Sequence, residues 1–341
     1  MKFTKLLLVA VCLFTLFQAR AEDDERLSVR TEVRVDYMRE YDKNRFVDEG
    51  SGFFGSYVNI MLDGKFANNF SFHYKQGLNK TILSDDFFDA AEWLYLSYAR
   101  NNWSVSAGKL VVAIGGFEYD AATIDMYSCT EFWHNIPCYQ LGVSADYTTD
   151  KGNDMLQLQI TQSPFNSDLE RDLYGYSAIW YGNHGVFNTI YSANLFEYTK
   201  GSYISYISLG NELDFGNLKL QCDFMNRADN HQTFLFDDVS ITGKISYLIA
   251  DRVNVFAKGT YDVNKSGRDS DFTVFNGTEV SMVGAGIEYF PIKNSQDLRI
   301  HANYFHAFGN NTNIDGTQYD NRRLFNVGLT WKVDLFKLAA K

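Results

Sequence analysis

Arg30, Glu32, Arg34 and Asp36 stand at alternate positions in "LSVRTEVRVDY" (27–37). Fixed charge at every second residue suits one kind of chemistry, a wet surface that attracts or repels passing ions. A strand sends alternate side chains to opposite faces, so Leu27, Val29, Val33, Val35 and Tyr37 make an apolar face behind those charges. The pattern recurs along the chain. Lys75, Lys219, Arg227, Lys244, Lys258, Arg299 and Lys332 share a parity with polar neighbours and alternate with apolar residues, as in "RVNVFAKGTYDV" (252–263) and "LFNVGLTWKVDL" (324–335). With Arg30 and Arg34 they are the candidate basic lining. Glu32, Asp36, Asp146, Glu212, Asp223, Asp262 and Glu288 are the candidate acids on the same face. Rings of Lys and Arg bias a pore toward anions. The alternative is that these charges hydrate the wall and pair across neighbouring strands, which leaves selectivity open.

Other chemistry finds no support. The six histidines include no pair at metal spacing. "NTNIDG" (311–316) starts like a calcium loop, but its twelfth position is Arg322 where a Glu is required. Neither a G-x-S-x-G elbow nor a phosphate-binding glycine loop occurs. No metal, cofactor or catalytic residue is assigned, and the expectation is that the chain is not an enzyme.

Sixteen alternating segments would position the charges: 27–37, 53–63, 69–77, 91–100, 103–111, 138–148, 155–163, 174–182, 186–198, 202–213, 217–227, 239–249, 253–263, 280–290, 298–308 and 323–335. The faces of 91–100 are not assigned, because Trp93, Leu94, Tyr95 and Leu96 follow one another. The connections alternate in length. Those at 64–68, 101–102, 149–154, 183–185, 214–216, 250–252 and 291–297 are short; those at 38–52, 78–90, 112–137, 164–173, 228–238, 264–279 and 309–322 are longer. The short 199–201 link breaks the rule. Acidic residues gather in the long loops, among them Asp85, Asp86, Asp89, Asp168, Glu170, Asp172, Asp237, Asp238, Asp269 and Asp271.

The chain ahead of the first strand says where it goes. Lys2 and Lys5 precede the apolar run "LLLVAVCLFTLF" (6–17), and Ala19-Arg20-Ala21 fits a small-x-small cleavage site. Residues 1–21 therefore read as a secretory signal peptide. The apolar run is shorter than the ~20 residues of a membrane anchor helix. Removing the peptide leaves residues 22–341 and moves the net charge from −11 to −14. So acidic a chain is a poor nucleic-acid binder.

An apolar face can meet a core or lipid. Three features favour lipid. The strands are long and uniform, the connections alternate, and Trp103, Trp180, Tyr181 and Phe215 cluster at the short-turn ends, where an interfacial aromatic girdle belongs. Phe and Tyr number 28 and 22 against 3 Pro, which suits a chain that is nearly all strand. The expected fold is all-β: a transmembrane antiparallel up-and-down β-barrel of about sixteen strands, with short periplasmic turns and long extracellular loops. A closed sheet of that size leaves an aqueous channel. The expected function is an outer-membrane porin, a passive diffusion channel for small hydrophilic solutes with a modest anion preference, in a Gram-negative bacterium. Its partners are outer-membrane lipid and small hydrophilic or anionic solutes. The alternatives are a barrel enzyme of the outer membrane and a secreted, soluble β-rich binding protein.

The connection 112–137, "VAIGGFEYDAATIDMYSCTEFWHNIP", is apolar and aromatic. Such a loop needs something to pack on, and the lumen wall is available. It is expected to fold inward as a constriction carrying Glu118, Asp120, Asp125 and Glu131. The alternative is an outer cap or subunit contact. Cys129 and Cys138 flank its end, and an oxidising compartment permits a bridge between them, with two free thiols the other outcome.

"GKLVVAIGGFEYDA" (108–121) and "FNVGLTWKVDLF" (325–336) resemble the phosphate-selective porin O and P family, especially its Bacteroidetes porins. The resemblance implies a sixteen-stranded barrel, a homotrimer and a third loop that constricts the pore. The family's phosphate-binding arginines and lysines are not carried over, because no motif aligns them here. The last strand departs from the usual pattern, since "KLAAK" follows Phe336.

Overall fold

A computed structural model describes residues 26–66, 69–78, 91–167, 170–231, 236–313 and 321–338. The expected signal peptide (1–21) and the acidic residues Asp85, Asp86, Asp89 and Asp168 lie outside the described residues. Sixteen strands follow in order: β1 (Arg26–Asp42), β2 (Arg45–Phe66), β3 (Phe70–Gly77), β4 (Ala91–Arg100), β5 (Trp103–Val111), β6 (Tyr139–Thr148), β7 (Asp154–Gln162), β8 (Tyr174–His184), β9 (Phe187–Thr199), β10 (Ser202–Asp214), β11 (Leu218–Asp229), β12 (Asp238–Ile249), β13 (Val253–Asn264), β14 (Glu279–Tyr289), β15 (Leu298–Asn310) and β16 (Asn321–Leu338). Every strand pairs antiparallel with its sequence neighbour, and β16 returns to pair with β1 from Leu27↔Leu338 to Asp42↔Arg322. The sheet is a closed barrel. Closure removes every edge, so each strand's backbone groups find partners, as lipid demands of a spanning sheet. No described helix is long and apolar enough to cross a membrane.

The period-two pattern is obeyed in three dimensions. On β7, Leu158 is 65 % exposed while its neighbour Gln159 is 4 % exposed. In a closed barrel this means that the apolar parity points out and the polar parity points in. The charges of β1 point in with Glu32, Arg34 and Asp36, all buried. β4, unassigned above, sends Leu94, Leu96 and Tyr98 outward. Trp93 and Tyr95 turn inward, where Lys75 lies over Trp93 and His73 stacks on Tyr95.

Two expectations need correction. The connection 38–52 is not a long loop: β1 and β2 run on to a two-residue turn at Lys43 and Asn44. Both residues have positive φ, 46° and 67°, the conformation of a type I′ hairpin. The dense charges of "MREYDKNRFVDEG" had hidden strand there. Tyr181 does not join the outer girdle. It faces inward and its hydroxyl donates to Asp120 at 3.4 Å. Trp103 and Phe215 are well exposed on the outside, as a girdle requires.

Candidate functional site

The connection from β5 to β6, residues 112–138 and here called L3, touches the inward parity of strands around most of the barrel. It carries α1 (Phe117–Asp120), a 3-10 turn (Thr123–Asp125) and α2 (Glu131–Asn135). A single loop can reach β1, β7, β9, β10, β11, β13, β14, β15 and β16 together only from inside.

Its first stretch lies against β7, β9 and β10. Gln159 accepts from Ala113 N at 2.8 Å and Ser192 Oγ from Gly115 N at 2.8 Å. Asn194 Nδ2 donates to Ala113 O at 2.6 Å, and Ser208 Oγ to Gly115 O at 2.8 Å. The approach is so close that a Cβ on Gly115 would lie 2.7 Å from Ile190 O, and one on Gly210 would lie 2.7 Å from Gly116 Cα. Gly116 also holds φ at 111°, which few other residues adopt. The glycine pair in "AIGGF" is thus a docking device. Asp223 of β11 then accepts from Phe117 N at 3.0 Å and Glu118 N at 2.7 Å, where a carboxylate offsets the unpaired N–H groups of a starting helix.

The tip sits on a patch from β1 and β14–β16. Arg299 Nη2 lies 2.9 Å from Asp125 Oδ1, and Lys332 Nζ 2.9 Å from Asp125 Oδ2. Arg34 donates to the carbonyls of Ile124 and Met126, and Arg299 to that of Ile124 at 3.1 Å. Tyr127 donates to Glu288 at 2.6 Å, and its ring lies under Arg34 and stacks on Phe256 at 5.5 Å. The returning arm is tied by Lys258, which lies 2.7 Å from Glu118 and donates to Ser128 O at 2.5 Å. Glu118 also accepts from Thr130 Oγ1 at 2.6 Å, and Asp262 accepts from Glu131 N at 3.0 Å. Thr130 caps α2 through Trp133 N.

Apolar contacts complete the seat. Val112, Ile114, Phe132 and Ile136 of L3 pack on Phe196, Ile204, Tyr206 and Met225, with Phe165 and Val274 arriving from other long loops. Ala113 packs on Ile179 and Ile190. Within L3, burial pushes the Cys129 thiol up to about 12. Burial, with the Arg322 charge added, pushes His134 down to about 4. Burial pushes the Glu118 carboxyl up, yet Lys258 outweighs it and holds the group below its usual range.

The candidate residues therefore fall into two sets. The structure gathers Arg34, Lys258, Arg299 and Lys332 around Glu118 and Asp125. The others stand elsewhere on the wall: Arg30 beside Asp334 at 2.9 Å, Lys75 beside Glu92 at 2.8 Å, Lys219 beside Asp214 at 2.7 Å, and Arg227 between Asp238 at 2.8 Å and Asp271 at 2.7 Å. Glu32 is buried opposite Lys332 in the β1–β16 register. Lys244 sits beside Lys258 in the β12–β13 register and 5.6 Å from the Phe256 ring. Asp120 meets Tyr181, and Glu131 is fully buried with Asn135 donating to it at 3.2 Å. Cys129 and Cys138 form no bridge with each other in the structure. The Cys138 thiol donates to Ile136 O and lies beside Tyr119, while Cys129 faces Lys258 and Glu118.

Neither Tyr127 nor Glu92 stands out in the sequence, Asp271 reads there only as one of the acidic loop residues, and the role of His301 is not apparent. His301 Nε2 lies 2.8 Å from Asp36 and 2.9 Å from Asn326, bracing the carboxylate that pairs with Arg34 at 2.9 Å. A signal for His301 was present, since it shares the parity of Arg299. Glu92 was hidden in the strand whose faces were not assigned.

Residues 27–189 match the sequence model of a family described as phosphate-selective porin O and P. Over this stretch the chain is similar to that family, and its closed sixteen-strand barrel is the fold of outer-membrane porins. Solved structures agree in fold. The anion-selective porin from Comamonas acidovorans has a TM-score of 0.66 at 11 % identity, covering 91 % of this chain and 100 % of its own. The outer membrane channel DcaP of Acinetobacter baumannii has a TM-score of 0.64 at 12 % identity, covering 92 % and 99 %. OmpT of Vibrio cholerae in its trimer form has a TM-score of 0.64 at 14 % identity, covering 91 % and 100 %. No curated protein sequence matches the chain. In this barrel the third loop is held along the inner wall.

Proposed function

We propose that this porin is a passive channel for small hydrophilic solutes, modestly anion-preferring, working as a homotrimer in a Gram-negative outer membrane after export by the signal in residues 1–21. One observation carries the reading: a closed barrel whose polar inner wall is narrowed from within by a long ordered loop. The basic wall residues favour anions, and the acids seated on them keep the preference small.

The barrel-enzyme reading has one geometry to offer. His73 lies 3.2 Å from Ser71 Oγ and 2.7 Å from Asp63, the order of a hydrolytic triad. Yet Ser71 and His73 sit on β3, which is paired on both sides by β2 and β4. Ladder pairing engages the backbone N–H groups that an oxyanion hole would need. The row reads as wall hydration, and no catalytic role is proposed.

Purified, folded protein in planar bilayers is expected to give discrete conductance steps. Deleting 118–130 is expected to raise the step size. Folded protein without steps, checked by heat-modifiability on a gel, would overturn the channel reading.

A further inference from the structure

We propose that Asp125 is a specificity-determining residue of the passage, a carboxylate cap that withholds the charge of Arg299 and Lys332 from passing ions. The inference rests on the channel reading above and names the groups that set its charge preference.

Three observations meet at this residue. The first is reach: each Asp125 oxygen holds a different cation, Arg299 on β15 and Lys332 on β16, both at 2.9 Å. The second is order of exposure. The Asp125 side chain is 34 % exposed, against 9 % for Arg299 and 19 % for Lys332. An ion in the lumen therefore meets the carboxylate before it meets either cation. The third is rigidity. The carbonyls of Ile124 and Met126 on either side of Asp125 accept from Arg34 and Arg299, so the cap is fixed against the wall.

The electrostatic consequence is simple. Arg34 already faces Asp36, and Arg299 already has Glu288 at 3.3 Å. Asp125 adds one further negative charge at the most exposed point of the patch. Burial lifts its carboxyl, but Arg299 and Lys332 outweigh burial and hold it below the usual carboxylate range, so the cap is ionised in neutral and mildly acidic solution. Removing that charge turns a cation-attracting point into an anion-attracting one. A unit change within a few ångströms of a confined ion's path alters relative permeability by about threefold or more at low salt.

The test is the reversal potential of the intact porin in a potassium chloride gradient, in planar bilayers at low ionic strength. Asp125→Asn is expected to raise the chloride-to-potassium permeability ratio about threefold. Lys332→Gln removes one of the capped cations and leaves the carboxylate, so it should move the ratio the other way. The pair keeps the proposal testable if one variant fails to fold. Conductance steps with an unchanged ratio in both variants would overturn the role of Asp125 and leave the channel reading intact. A larger step without a changed ratio would make Asp125 a mere strut and would overturn it too. Absence of steps from the unaltered protein would instead strike the channel reading.

Discussion

Replacing Lys258 with methionine is expected to release L3 without unfolding the barrel. Lys258 and Glu118 pair at 2.7 Å with each side chain only 7 % exposed. Methionine keeps the bulk of the stem and removes the charge. Glu118 is then a buried carboxylate whose remaining donors among the described residues are those of Thr130, at 2.6 Å from Oγ1 and 3.4 Å from the backbone. Removing one partner of a buried pair costs about 3–5 kcal/mol. Undocking L3 escapes that cost, because water can then reach Glu118, and it does so without opening the sixteen-strand ladder. The population of undocked loop should therefore rise by roughly 10²-fold to several thousandfold, at 1.4 kcal/mol per tenfold. Amide hydrogen exchange in detergent reads this directly at residues 112–138, with the strand amides as internal reference. Adding Glu118→Gln to Lys258→Met should restore most of the protection, since the double change leaves no orphaned charge. The reasoning fails if L3 exchange in Lys258→Met matches that of the unaltered protein. It fails equally if the double variant is no better protected than the single one.

Acid should also loosen the loop, in two stages. His134 is held down to about 4 by burial and by Arg322, against about 6.5 when free, so the undocked loop binds the extra proton and docking weakens as pH falls from about 6.5 to 4. Glu118 and Asp125 are depressed, so their contribution is present above about 4 and is lost as pH falls through their lowered values. The Asp120 carboxyl, raised by burial, opposes this in part. L3 exchange that stays flat from pH 7 to 3 would contradict this account. A second prediction concerns Gly286, where an added Cβ would meet the Phe256 ring at 2.5 Å. Gly286→Val should displace Phe256 and the Tyr127 stacked on it, costing about 1–3 kcal/mol. An unchanged midpoint in a heat-modifiability series would count against that packing.

The strands were legible because alternation is local. "NLKLQCDFMNRA" carries its own alternation, and in the structure Asp223 and Arg227, of the polar parity, are buried while Cys222 is exposed. The seat of L3 was not legible, because its partners lie far off in sequence: Asp125 meets residues more than 170 positions away. Nor does alternation alone reveal where the inner wall turns apolar. On β10, Ile204 and Tyr206 point inward and are fully buried, while Ile207 and Leu209 point outward. A stretch such as "YISYISL" is apolar on both parities. That double-sided pattern marks a wall that something covers from within, and it was available to be read. The β1–β2 turn was missed for the opposite reason, since charges that read as loop continue two paired strands.

The seat of L3 has a consequence for how the molecule assembles. Its tip rests on Arg34 from the first strand and on Arg299 and Lys332 from the last two. Arg299 and Lys332 already share the β15–β16 hairpin, but Arg34 joins them only when β1 and β16 meet. Before that moment the carbonyls of Ile124 and Met126 lack their Arg34 donor and the cradle for the tip is incomplete, however complete the remaining hairpins are. Loop docking is therefore bound to come late, after the long-range pairing that makes large sheets slow to form. A settled L3 is the chain's own record that the ring has closed.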